Sequence, residues 1–130
     1  MKVVLDVSAA AEILFEKPGS KKLSSIVENS ELVTAPNLFV VEATNLVFKY
    51  YRDKIIKGGE ESSIFNKCLS FIDLFIPNEE LAIEALSMAC DNNKPVYDYY
   101  YLVLARRNSA RLLTLDKVLL AEAKKHGVKV

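Results

Sequence analysis

Four glycines (19, 58, 59 and 127) and four prolines (18, 36, 77 and 95) punctuate this chain, and every one falls between apolar periodic segments. These residues interrupt both helix and strand, so their spacing fixes where elements begin and end. "KVVLD" at 2–6 reads as a buried strand, continuous and β-branched. "SAAAEILFE" opens a helix, and "KKLSSIVEN" is a second one with Leu23, Ile26 and Val27 on one face. "ELVTA" is a strand stopped by Pro36, and Asn37–Arg52 is a long helix with Pro36 and Asn37 at its start. A helix over about 60–72 follows, then "LFIP" as a short strand. "NEELAIEALSMACDNN" is a helix capped by Asn78, and "PVYDYYYLVLARRN" carries Pro95 in its first turn. "RLLTL" is a strand, "DKVLLAEAKKHG" a helix closed by Gly127, and "VKV" a last short strand.

Strands alternating with helices imply right-handed crossovers and a mainly parallel sheet covered on both faces, a three-layer α/β/α sandwich. At 130 residues, without internal repeat or linker, residues 1–130 form one domain long enough for a substantial core. Seventeen basic and seventeen acidic residues cancel, so nucleic-acid binding would have to come from local patches. The N-terminal apolar stretch is interrupted by Asp6 and Glu12 and is too short to span a bilayer, which points to a cytoplasmic protein with no membrane partner. Cys68 and Cys90 have neither CxxC spacing nor a nearby histidine and read as small hydrophobes, with a disulfide left open.

Against this apolar pattern stand four acids: Asp6, Glu42, Asp98 and Asp116. Asp6 ends the first strand and Asp116 the "RLLTL" strand; parallel strands would bring them to one rim, where open α/β sheets bind ligands. Ser8 and Thr114 lie two residues away and can orient them by hydrogen bonds. Glu42 and Asn45 share a face of the long helix, one turn apart, and Asp98 shares a face with Tyr101, Leu102 and Ala105. Each acid also has an ordinary structural reading. Asp6 can be a turn residue, Asp116 a helix cap, Asp98 a first-turn acid, and Glu42 a partner of Lys49 or Arg52.

Four anions cannot share a small site without a cation or protons. Oxygen ligands without histidine or cysteine suit a hard ion, Mg²⁺ or Mn²⁺. Such ions activate water and stabilise charge at phosphorus, so phosphodiester hydrolysis is the natural chemistry of the set.

"VVLDVSAAAEIL", "PNLFVVEATNLV", "VYDYYYLVLARR" and "LLTLDKVLLAEA", in this order, resemble the PIN-domain nucleases, especially the VapC-type toxin ribonucleases. The resemblance extends over essentially the whole chain. It implies a metal-dependent endoribonuclease whose acids, Asp6, Glu42, Asp98 and Asp116, are both catalytic residues and metal ligands. Ser8, Asn45 and Thr114 are the implied polar partners, with RNA as substrate, a small antitoxin protein as partner, and a homodimer. A toxin of a type II toxin–antitoxin pair is the first expectation. A PIN-type nuclease of RNA processing or quality control without an antitoxin, and a non-catalytic interaction module of the same fold, are the alternatives. The triple tyrosine at 99–101 is bulkier than the family's usual small residues. Helical spacing assigns it to the core, with a dimer contact or a base-stacking surface as the other readings.

A haloacid-dehalogenase-type phosphatase needs a second Asp where Ser8 stands, and a receiver domain needs adjacent acids after the first strand; both patterns are missing. "KYYRDKIIK" reads as a solvated helix end, Arg106, Arg107 and Arg111 as surface, and His126 as a cation near a helix C-terminus.

Overall fold

In the first strand, β1 (Lys2–Leu5), successive side chains enter different cores. Val3 and Leu5 pack into one apolar cluster and Val4 into another, as the period of two requires. The computed structural model describes Met1–Val130. Three further strands, β2 (Leu32–Pro36), β3 (Leu74–Ile76) and β4 (Arg111–Leu113), complete an all-parallel sheet in the order β3-β2-β1-β4. One face is covered by α1 (Val7–Leu14), α2 (Ser20–Glu28), α3 (Leu38–Arg52) and α4 (Glu61–Leu69), through Ala10, Leu23, Phe39 and Cys68. The other is covered by α5 (Asn78–Asn92), α6 (Tyr97–Arg107) and α7 (Lys117–Lys125), through Leu81, Leu102 and Leu119. Leu112 and Leu113 alternate between the two cores as Val4 and Leu5 do. The result is a three-layer α/β/α sandwich.

Several elements end differently from the sequence expectation. "RLLTL" is a strand only to Leu113. Beyond it the backbone leaves the ladder: Leu115 N–H donates to Ser8 Oγ at 2.9 Å and Asp116 N–H to Thr114 Oγ1 at 3.0 Å. "VKV" is not a strand; one bond, Leu112 N–H to Lys129 O at 2.8 Å, lays it beside β4. Asn78 does not cap its own helix, whose cap position is Pro77. Its Oδ1 accepts instead from Leu38 N–H at 2.9 Å, satisfying an orphan donor at the start of α3. Gly127 does close α7 in the left-handed region, at φ +72°. Cys68 is buried and Cys90 exposed, both as free thiols. No helix is long and apolar enough to cross a membrane.

Candidate active site at the carboxyl edge of the sheet

Strand order reverses at β1. The chain proceeds from β1 to β2 and β3 on one side, then returns to place β4 on the other. A crevice forms outside the strand ends at such a switch point. Asp6 sits there, directly after β1, its N–H bonded to Leu113 O at 3.0 Å. Its carboxylate is held by three donors: Ser8 Oγ and Thr114 Oγ1 to Oδ2, each at 2.7 Å, and Val7 N–H to Oδ1 at 2.8 Å. Ser8 and Thr114 also lie 3.2 Å apart, so both strand ends are tied through one carboxylate.

Asp116 fulfils its ordinary role as a helix cap: Oδ1 accepts from Val118 and Leu119 N–H at 2.8 and 3.0 Å. Its other oxygen carries no such bond. Glu42, on the second turn of α3, accepts a short hydrogen bond from the hydroxyl of Tyr101, which is itself 1% exposed. Asp98, in the first turn of α6, is half-buried. None of the four acids forms a salt bridge; Arg52 pairs with Asp53, and Lys49 does not reach Glu42. Asn45 is exposed and takes no part in the hydrogen bonds that hold the acids.

The carboxylates are close enough that their charges raise the proton affinity of Glu42 and Asp98. Burial pushes Glu42 up to about 7; the Tyr101 hydrogen bond opposes this, and the negative charges of Asp6, Asp98 and Asp116 add to it. Burial likewise pushes Asp98 up to about 6, helped by the charges of Asp116, Asp6 and Glu122. No three His, Cys, Asp or Glu side chains close on one point as a ready-made metal cage. Mg²⁺ is usually held by one or two carboxylates together with waters and substrate phosphates, so it needs no such cage. An all-oxygen donor set without a single basic partner fits a hard divalent cation, with Asp6, Glu42, Asp98 and Asp116 as the side chains that would hold it.

Tyr101 gives Glu42 a direct test. Tyr101→Phe removes the one influence that lowers the Glu42 pKa, so this carboxyl should titrate above about 7. At neutral pH protons then compete more strongly with metal, and Mg²⁺ binding should weaken roughly 10- to 100-fold, the usual effect of losing a group that orients a ligand. Calorimetric titration of Mg²⁺ at several pH values checks this. An unchanged pH dependence would remove Glu42 from the ligand set.

The sequence model of the PIN domain family matches residues 3–125. The chain belongs to the PIN domain family. It is 26% identical over 121 residues to "Ribonuclease VapC3" of Pyrobaculum aerophilum, a match covering 92% of this chain and 92% of that relative. This PIN domain also superposes on the solved structure "Crystal structure of PAE2754 from Pyrobaculum aerophilum" with a TM-score of 0.72 and 23% identity, over 93% of this chain and 78% of that one. That likeness is one of fold.

Two features of this PIN domain were not apparent from its sequence: the Tyr101 hydroxyl on Glu42 and the buried carboxylate of Glu122. The core reading of the triple tyrosine holds for Tyr99 and Tyr101, each 1% exposed, which leaves neither ring open to a dimer contact or a base. Glu122 of α7 is 3% exposed and accepts hydrogen bonds from Lys94 Nζ and, at 2.9 Å, from Tyr99 Oη. His126 Nε2 lies 3.6 Å from the same carboxylate. The sequence signal for Tyr101 was its place on the face of Asp98; Glu122 had none.

Proposed function

We propose that this chain is a metal-dependent endoribonuclease that hydrolyses RNA phosphodiester bonds, and that it is the toxin of a type II toxin–antitoxin pair. The observation that carries the reading is the set of four carboxylates at the switch point, mutually repelling and without one basic partner. Asp6 is the fixed member, its orientation set by Ser8, Thr114 and the Val7 N–H. Glu42 and Asp98 are the members whose charge is held in check by burial and repulsion. A bound Mg²⁺ or Mn²⁺ would supply an activated water and stabilise charge at the scissile phosphate. The name of the VapC3 relative supports RNA as substrate and, with the family, a small antitoxin as partner; the homodimer rests on the sequence resemblance alone.

The test is incubation of the purified protein with a mixed pool of structured RNA, because a sequence-selective enzyme can ignore a generic oligonucleotide. Internal cleavage in Mg²⁺ or Mn²⁺ is expected, stopped by a chelator and restored by added metal. Cleavage that persists in the chelator, or none in either metal, would overturn the reading.

A further inference from the structure

A cavity of about 370 Å³ opens beside the acids, between the start of α6 and the start of α7, with Asp98 and Asp116 in its wall. Two other lining residues have chemistry of their own. Tyr97, the first residue of α6, is 61% exposed, whereas Tyr99 and Tyr101 of the same helix are buried. Lys94, in the connection between α5 and α6, is the only basic residue in the lining. Its ammonium is tethered to Glu122, which the Tyr99 hydroxyl holds in turn. An ammonium has three donors, so the tether leaves others for an anion. An aromatic ring in water and a tethered cation, side by side at an acidic site, match the two halves of a nucleotide.

We propose that Tyr97 and Lys94 form a single-nucleotide subsite next to the four acids, in which Tyr97 stacks an unpaired base and Lys94 holds the adjoining backbone phosphate. Stacking on a side chain requires a base free of its own neighbours, so the subsite selects single-stranded or looped RNA over duplex. The exposed Val118, on the same cavity wall, offers the base an apolar second side. Glu122 is a positioning residue that keeps the ammonium at the wall. The hollow of about 330 Å³ between α3 and α4 carries neither a cation nor any of these four acids. The proposal rests on the ribonuclease reading and specifies what that site holds.

The experiment measures binding of a mixed-sequence single-stranded RNA pool and of the corresponding duplex pool by fluorescence anisotropy. Calcium replaces Mg²⁺ to slow turnover, and cleavage by the parent is measured separately in Mg²⁺. Tyr97→Ala should weaken single-strand binding roughly 5- to 100-fold, the usual effect of losing one stacked base, while duplex binding stays near that of the parent. Tyr97→Phe should restore the single-strand affinity. Lys94→Gln should lower the slope of log affinity against log salt by about 0.7, the loss of one single-strand phosphate contact. Because Lys94→Gln leaves the buried Glu122 with a weaker partner, the exposed Tyr97 pair provides a measurement independent of folding. If the parent cleaves RNA but Tyr97→Ala binds single strands as the parent does, or loses duplex binding equally, the subsite is wrong and the nuclease reading stands. A parent that neither binds nor cleaves RNA overturns both.

Discussion

Asp6→Asn is expected to reduce RNA cleavage by on the order of a hundred- to a thousandfold or more, the scale at which one preorganised charged group acts at a reacting centre. The chain should nevertheless remain folded. Three donors converge on the two oxygens of Asp6. An amide of the same shape keeps one acceptor oxygen, and the Ser8 and Thr114 hydroxyls can turn to accept from its NH₂. The expected stability change is therefore about one hydrogen bond, roughly 1 kcal/mol. What is lost is a negative charge held rigidly at the switch point. Excess metal should not rescue the variant, because a higher metal concentration cannot replace the negative charge that the neutral amide lacks. Cleavage assays across a metal titration, with a thermal melt of each protein, separate the two effects. A variant that cleaves as fast as the parent would identify the activity as a contaminant.

How far the sequence reveals such a site depends on how local each determinant is. Asp6 and Asp116 are legible because each follows an apolar strand and precedes a helix, so strand period and cap chemistry point to the same place. Gly127 is legible for the same reason: one residue with φ above zero ends one helix. Asn78 looked equally clear and was misread. Its amide is shared across space with α3, and Pro77 sets the start of α5 without it. "VKV" has strand composition but makes only a single bond to β4, and three residues are too few for composition to decide pairing. Asn45 lies on the helical face of Glu42 yet points to solvent, because helical period gives direction only to within a wide stripe. Glu122 was invisible. Within "AEAKK" it resembles any solvent-facing glutamate, and its burial is decided by Lys94 and Tyr99, 28 and 23 residues away. The charges of the site were thus partly readable from local pattern, whereas the groups that tether and orient them were set by tertiary packing.

Without metal, the raised carboxyls of Glu42 and Asp98 should make the protein less stable as pH rises, and Asp98→Asn should reverse much of that loss. The sign follows from the two raised carboxyls. Asp98 titrates at about 6 in the folded chain against an ordinary 3.8, and Glu42 at about 7 against 4.5. Between those limits the folded state holds protons that the unfolded state has released, so stability falls with pH. Their contribution is fully present below about pH 4 and is lost by about pH 7. Partial exposure screens the effect, which leaves about 1–2 kcal/mol for each group. Asp98→Asn removes its own share and one of the charges that raise Glu42. At a pH near 8 the metal-free variant should therefore melt higher than the parent, by roughly 3–8 °C for a domain of this size. At a pH near 4 the two should melt together. Saturating Mg²⁺ inverts the order: at about a hundred times its Kd, a ligand that binds only the folded state adds ~2.7 kcal/mol to the parent, and much less to a variant with a weakened site. Melting curves over this pH range, with and without Mg²⁺, decide the matter. A variant that melts below the parent at every pH and ignores Mg²⁺ as the parent does would make Asp98 a structural residue and leave Asp6, Glu42 and Asp116 to hold any cation.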